Sequence, residues 1–503
     1  MRKSVALAAL ALVTGCGSTV QGVGAGVTPG ADSLTAPTAA APAGGTGTTS
    51  LGGATNSGDD LSVPGGGTAG VAAGSGAGRG SGGNATVGAT SGTAVPGAAN
   101  PTGPLHIGML LTKTSNASDF GVSLGNTVSE RDVDDALVRA LNKRGGLDGR
   151  RIVPVYASTD TASANWSTDF QAACATFTQD NHVDAVLGYA FDYERNFESC
   201  LAKSGIPHLT TAFNVPDNAE LRQWPLFWAL STPTIDERSI EKIQGAIATG
   251  VLTPKSHLGI LVDNCPGTQH AWKTVIQPYL QRQHITVAAQ QDFSCGTGNN
   301  ASEANAVASA GNAMLSFRSK GVDAVSFFSV SEGPALLIMA EAAESQHYYP
   351  KWIVSSLANL AVLQGQAPAN QLKNVEGYGW LETQDVSPSL YAKPNPTQRR
   401  CLSLVESENV RPSAAADYAY VYSVCEAMFV YERALQLAHG NAIGGAIIGA
   451  VQSIGRFESV LNYEGASLFS PAVRNNAPRT YRHVVYAGGC SCFNYTGRAY
   501  SMP

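Results

Sequence analysis

The stretch Ala140-Leu141-Asn142-Lys143-Arg144-Gly145-Gly146-Leu147-Asp148-Gly149-Arg150-Arg151-Ile152 constrains this chain more than any other. It predicts a helix ending, a glycine turn and a strand beginning. Upstream, Val133, Ala136, Leu137, Ala140 and Leu141 recur at helical spacing and line one apolar face. Glu130, Asp132 and Asp134 gather at the start of that helix, and Arg139, Lys143 and Arg144 at its end, as the helix dipole favours. Gly145 can take the left-handed cap conformation that side chains resist. A strand from Ile152 follows and reaches Asp160. With another strand over 105–112, this makes one β-α-β unit, the building block of a parallel sheet.

The same A-x-N-x-x-G-G-x-x-G-R-x-I turn, ahead of a strand and an Asp, resembles the first β-α-β of the leucine/isoleucine/valine-binding protein family. These are the type I periplasmic solute-binding proteins of ABC transporters. The resemblance extends in element order over residues 104–497. It implies an α/β fold of two Rossmann-like lobes, each a parallel sheet flanked by helices, joined by three hinge crossovers.

The N-terminus makes a separate case. Met1-Arg2-Lys3 is a short basic region, and the apolar run 5–13 is too short to span a bilayer. It ends in Val13-Thr14-Gly15-Cys16, which resembles a bacterial lipobox, so residues 1–16 read as a lipoprotein signal with Cys16 the acylated residue. Residues 17–103 are mostly Gly, Ala, Ser, Thr and Pro, with very few charges or large apolar residues. Such a segment cannot bury enough apolar surface to offset its ordering entropy, and reads as a tether. About 85 residues of it would span on the order of 50 Å. Gly78-Arg79-Gly80-Ser81-Gly82-Gly83 matches a dinucleotide fingerprint by letters, but no strand precedes it.

The remaining chain is longer than one comfortable core allows. The boundaries expected are 104–232 with 357–385 for the N-terminal lobe, and 233–356 with part of 386–503 for the C-terminal lobe. A formal net charge of −6 gives no electrostatic case for nucleic acid. Besides Cys16 there are eight cysteines, an even number in an exported chain, which predicts disulfides. The pairs expected are Cys174–Cys200, Cys265–Cys295 and Cys401–Cys425, leaving Cys490 and Cys492, which could pair with each other. No cysteines stand in a C-x-x-C pair or at zinc-ligand spacing with His, so no metal or other cofactor is expected.

Val183-Asp184-Ala185-Val186 recurs as Val322-Asp323-Ala324-Val325, which reads as one element repeated in two similarly built lobes. Strands are expected over 206–210 and 226–230 in the first lobe, and over 257–262, 285–290 and 352–355 in the second. Helices are expected over 235–249, 269–281, 303–318 and 334–344, so strand and helix alternate as in covered parallel sheets. The interlobe crossings expected are 231–233, 355–359 and 384–388, with 375–382 returning to the first lobe. The aromatics of a helix over 415–437, among them Tyr418, Tyr422, Phe429 and Tyr431, read as core.

Ligands of open α/β sheets bind beyond the carboxyl ends of the strands. That rule nominates Thr114, Tyr189, Asp192, Thr210, Thr211 and Asn214 from the first lobe, and Ser329, Glu332 and Ser355 from the second. Amino-acid-binding members of the family tend to place an acid after the strand that here ends at Ser355; this chain has Ser355-Ser356-Leu357-Ala358-Asn359. A buried ammonium without a counter-charge is costly. Either Asp192, Asp263 or Glu332 substitutes, or the ligand has no ammonium group.

Catalytic signals are weak. Gly121-Val122-Ser123-Leu124-Gly125 matches a nucleophile elbow by letters, but polar residues 113–119 separate Ser123 from the strand. The nine His form no metal or triad pattern, and His106, His182 and His208 border strands as structural residues would. The function expected is therefore an extracytoplasmic, lipid-anchored, monomeric protein that closes over a small polar ligand, such as an amino acid, amide or related compound, and delivers it to an ABC permease. A ligand-sensing receptor component is the alternative, and a cell-surface serine hydrolase using Ser123 a weaker one.

Overall fold

A computed structural model describes residues 103–113, 125–160, 166–188, 193–211, 215–293, 295, 300–329, 332–462, 466–473, 475 and 477–502; the side chains of 300–308 are not considered. Its first unit follows from local chemistry. Strand β1 (Leu105–Lys113) lies parallel to β2 (Ile152–Asp160), with the helix Glu130–Lys143 between them in sequence. Ser129 caps that helix by accepting from the Asp132 amide at 3.1 Å, and its apolar stripe is buried. Asn142 then clasps the coming strand twice: its amide donates to the Ile152 carbonyl at 2.9 Å, and its oxygen accepts from the Ile152 N–H at 2.8 Å. Gly146 has a φ of +81°, and a Cβ there would fall 1.8 Å from the Arg150 carbonyl oxygen. Only glycine fits that turn.

The first lobe adds β3 (Ala185–Gly188), β4 (His208–Thr210) and β5 (Phe227–Ala229), giving a five-stranded parallel sheet in the order β2-β1-β3-β4-β5. The second lobe starts with β6 (His257–Asp263), β7 (Thr286–Phe293), β8 (Ala324–Phe328), β9 (Lys351–Ser355) and β10 (Val375–Gly379). These run β7-β6-β8-β9-β10, the winding of the first lobe repeated. A hairpin of β11 (Gly455–Glu458) and β12 (Ala466–Phe469) stands apart, and β13 (Thr480–Ala487) with β14 (Cys492–Ser501) joins the second sheet antiparallel beside β10.

The repeated Val-Asp-Ala-Val marks the same place in both sheets, leading into β3 and β8. The two aspartates do the same work: Asp184 accepts from the His106 N–H at 2.8 Å and Asp323 from the His257 N–H at 3.0 Å. Each aspartate N–H also donates back to the carbonyl of that histidine. Two residues on, a Cβ on Gly108 would press Phe177 at 3.1 Å, and one on Gly259 would press Phe317 at 3.0 Å. The likeness therefore reaches the packing beneath the sheets.

Three expectations are corrected. Residues 375–379 do not return to the first lobe; β10 lies between β9 and β13 in the second sheet, so 355–359 is no crossing. The reason is long-range: Gly377 in β10 leaves room for Leu360 and Val484, which a Cβ would meet at 2.9 and 3.1 Å. The chain instead leaves the second lobe after β10, through 380–388, where the third crossing was expected. The helices Pro396–Glu406 and Ala415–Leu437 then pack on the first lobe's Glu130–Lys143 and on β3 and β4, and the chain comes back after β12 into β13. Finally, the second sheet is mixed, because the β13–β14 hairpin completes it with antiparallel strands.

The lobes share apolar packing. One buried cluster runs from Leu105, Ile107 and Leu137 through Tyr422, Phe429 and Tyr431 to Leu258, Ile260 and Ile353, while two further clusters belong to single lobes. Both sheets lie within one compact unit, Gly92–Pro503. The Tyr422, Phe429 and Tyr431 side chains of the long helix are thus core, as expected. The three expected disulfides, Cys174–Cys200, Cys265–Cys295 and Cys401–Cys425, are formed, and Cys490 and Cys492, left open by the sequence, bridge each other. Among the described residues no helix is long and apolar enough to cross a membrane.

Candidate ligand-binding site

Of the nominated residues, Thr114, Tyr189, Asp192 and Asn214 lie outside the described residues, as do Cys16 and Ser123. The other five sit at strand carboxyl ends. Thr210 closes β4 opposite Gly188 and Ala229, and the Thr211 N–H donates to the Gly188 carbonyl at 3.1 Å. Both threonines are buried, and neither hydroxyl has a hydrogen-bond partner among the described residues. A buried hydroxyl in that state is costly, which makes it a good seat for a ligand oxygen or nitrogen.

The second lobe treats its polar ends differently. One Glu332 oxygen accepts from the Ser355 hydroxyl at 2.6 Å and from the Ser355 N–H at 2.8 Å. The other pairs with the Lys242 ammonium, which also donates to the Phe327 carbonyl. The Ser356 hydroxyl donates to Asp385 at 3.2 Å and accepts from the Trp380 and Leu381 amides at 2.8 and 3.0 Å. The structure therefore brings Glu332 and Ser355 together, but onto each other and Lys242. The Ser329 carbonyl lies 3.4 Å from the Arg238 guanidinium.

Arg238 and Lys242 are the residues that sequence reasoning missed. Asp236-Glu237-Arg238 and Glu241-Lys242 fall in the helix expected over 235–249, where the sequence assigns them no role. The helix Ile235–Ala248 packs against β9, β10 and the Trp272–Ile276 turn, and Arg238, Glu241 and Lys242 are almost wholly buried. One signal was available: Gly245, inside a helix, where a Cβ would strike the Tyr378 ring at 2.3 Å. Burial pushes the Lys242 ammonium down and the Arg238 guanidinium down to about 10, against the pull of Glu332. Burial also pushes the Glu241 carboxyl well up, and neither of its oxygens has a partner among the described residues.

Arg238 also ties the lobes. Its guanidinium donates to the Val215 carbonyl at 2.8 Å in the loop after β4, to Pro233 at 3.2 Å in the crossover, and to Ser329 after β8. Nearby, Asp217 takes the His270 ring from the other lobe, and the Asn218 N–H donates to Asp236 at 2.6 Å. A groove of about 440 Å³ opens beside these contacts, lined by Asn218, Arg222, Asp236, Glu237, Ile240 and His270. The Thr268 hydroxyl, one turn into the helix after β6, is another buried group without a partner among the described residues. Arg238 thus brings the segments after β4 and β8 together at the crossover.

Residues with a structural role separate cleanly. His208 bonds Glu198 at 2.8 Å and lies edge-on to Phe197 and Phe227. Tyr193 packs on Phe227 and donates to Glu220 at 3.0 Å. No group of three or more His, Cys, Asp or Glu among the described residues is placed to hold a metal.

No sequence-family model matches the chain, and no curated protein matches it. Solved structures do. A possible leucine/isoleucine/valine-binding protein from Rhodopirellula baltica is 13% identical, with a TM-score of 0.57 over 79% of this chain and 97% of that one. An ABC transporter substrate-binding protein from Aeropyrum pernix gives 0.60 at 12% identity, over 80% and 97%. An ABC transporter solute-binding protein from R. palustris, in complex with 4-hydroxybenzoate, gives 0.57 at 12%, over 80% and 98%. At such identities the likeness is one of architecture, and it defines the class: this chain has the type I periplasmic-binding fold. The neighbours named here are described as solute- or substrate-binding proteins or as a possible leucine/isoleucine/valine-binding protein.

Proposed function

We propose that this chain is an extracytoplasmic solute-binding protein, fastened to the membrane by a lipid on Cys16, that closes on a small polar ligand and passes it to an ABC permease. The observation that carries the reading is the pair of identically wound sheets, with the Thr210 and Thr211 hydroxyls buried at the carboxyl end of β4 and without partners among the described residues. Ligand contacts to both lobes stabilise the closed state, and no catalytic step or cofactor is required. Thr114, Tyr189, Asp192 and Asn214 complete the first-lobe wall in this reading, and Ser329 offers the second-lobe contact.

The neighbours include complexes with isoleucine and with 4-hydroxybenzoate. Glu332, one of three acids able to face an α-ammonium group, is already paired with Lys242 and Ser355. That engagement favours a carboxylic acid or amide without an ammonium, held by hydroxyls and backbone amides. The test is a thermal-shift and calorimetry screen of benzoates, amides and branched-chain amino acids on the purified chain, with scattering to detect compaction. Stabilisation by benzoates or amides over amino acids is expected. A panel in which nothing binds would overturn the reading, and selective binding of leucine or isoleucine would overturn its ligand class. Mass spectrometry of the exported protein should find diacylglycerol on Cys16; an unmodified mature N-terminus elsewhere removes the anchor.

A further inference from the structure

The four disulfides are not alike. Cys401–Cys425 is wholly buried, and Cys174–Cys200 and Cys265–Cys295 each join a buried cysteine to a half-buried one; these three span 24, 26 and 30 positions. Cys490–Cys492 spans only Ser491 and sits in the turn between β13 and β14, with Cys490 exposed and Cys492 buried. A bridge around so short a loop removes little freedom from the unfolded chain, so stabilising the fold is a poor account of it.

The register fixes where this turn lies. Gly379, at the carboxyl end of β10, stands beside Arg482, while Glu376, near its start, stands beside Val485. β13 therefore runs back past the start of β10, and the turn lies at the opposite end of the sheet from the candidate ligand site. Around the bridge, the Asn494 side-chain amide is 3.6 Å from the Cys490 sulfur and 3.7 Å from the Cys492 sulfur. Ser491 has a φ of +52°, a left-handed conformation that a residue with a side chain adopts at a cost.

We propose that Cys490–Cys492 is an exchange-competent disulfide, a second activity of this protein, whose substrate is an exposed dithiol on a partner protein or peptide. The partner's thiolate attacks the accessible Cys490 sulfur; a new bond forms there, the Cys490–Cys492 bond breaks, and Cys492 leaves as a thiolate. The Asn494 N–H groups donate to that leaving sulfur and lower its basicity, which speeds departure. The partner's second thiolate then attacks its own sulfur in the mixed disulfide, and Cys490 leaves as a thiolate. Two electrons pass from the partner dithiol to the Cys490–Cys492 pair, the partner becomes a disulfide, and the two thiolates take up protons from water. Opening the bridge also frees Ser491 from its left-handed turn.

The purified, folded chain is titrated with dithiothreitol, quenched with iodoacetamide and mapped by mass spectrometry. Cys490 and Cys492 should be alkylated at reductant concentrations at least ~10-fold below those that open the other three bridges. Reduced glutathione should be trapped on Cys490 rather than Cys492. A reduced dithiol peptide should be oxidised by the native chain and not by the Cys490→Ser, Cys492→Ser double variant, and Asn494→Ala should slow the oxidation while leaving the thermal midpoint in place. Opening of all four bridges together, or a Cys490–Cys492 bridge more resistant than the others, overturns the proposal. So does oxidation of the peptide at the same rate by the double variant.

Discussion

Counting along the register from the repeated Val-Asp-Ala-Val, Val186 stands beside His208 and Val325 beside Trp352, so Thr211 and Ser355 occupy equivalent places three residues further on. Their hydroxyls meet different fates. Thr211 is buried with no partner among the described residues, while Ser355 is bonded to Glu332, itself paired with Lys242. Two lobes wound alike thus differ at one equivalent position: the Thr211 hydroxyl has no partner among the described residues, whereas that of Ser355 is engaged in an internal network beside the crossovers.

The largest effect that could break this comparison lies in that network. Glu332→Ala leaves the buried Lys242 ammonium without its counter-charge and should cost about 3–5 kcal/mol in denaturant unfolding. Lys242→Met in the same chain should recover much of the loss; a cost below about 1 kcal/mol for Glu332→Ala alone would mean the pair is not holding the lobe.

Next come the paired glycines. The nearest atom to an added Cβ is 3.1 Å away at Gly108 and 2.7 Å at Gly259. Each alanine should destabilise by about 1–3 kcal/mol, with Gly259→Ala the worse. Equal costs would show that the two sheets rest on their helices with the same tolerance.

Smaller still, Ser355→Ala should lower stability by about 1–2 kcal/mol and change ligand affinity little. Thr211→Val should do the reverse: almost no loss of stability, and affinity weakened about tenfold, or roughly 1.4 kcal/mol. Calorimetry with the ligand from the screen, beside urea melts, decides it. An unaltered affinity in Thr211→Val removes Thr211 from the site.

The gentlest test is pH. Burial raises the Asp385 carboxyl, at the second-lobe crossover, and the Glu426 carboxyl, in the helix on the first lobe, each to about 7. The folded chain then keeps protons that the unfolded chain releases near the ordinary values of 3.8 and 4.5. Their contribution to stability is full below those values, declines as pH rises, and is lost above about 7. Urea midpoints should fall between pH 5 and 7.5, and Asp385→Asn and Glu426→Gln should each flatten the slope. A steeper change in one variant than in the other would show which lobe feels pH more.

Much of this was legible in the residues. The helix stripe from Val133 to Leu141, the Gly145-Gly146 turn and the strand at Ile152 are set by spacing and backbone freedom, which are local properties. The cysteine pairs followed from neighbouring elements. The rule that strand ends carry sites pointed to Thr210 and Thr211, which do lie at the buried carboxyl end of β4. Two things escaped. Nothing local in Asp236-Glu237-Arg238 announces burial, since charge is normally solvated, and only a helix enclosed by β9, β10 and a neighbouring helix makes Arg238 interior. The placement of 375–379 escaped too, since the apolar residues of a buried strand suit either sheet equally well.

What the sequence alone determined is therefore the alphabet of the molecule: β-α-β units, an internal duplication, bridges between near neighbours and strand ends carrying hydroxyls. Only the tertiary structure decided which sheet receives β10, that β13 and β14 complete it, and that Lys242 and Glu332 hold each other inside. The physical reason is range. Period, caps and turns act over a few residues, whereas strand pairing and charge burial are chosen by surfaces that meet only after more than a hundred residues of chain, as from Arg482 back to Gly379, have been brought together.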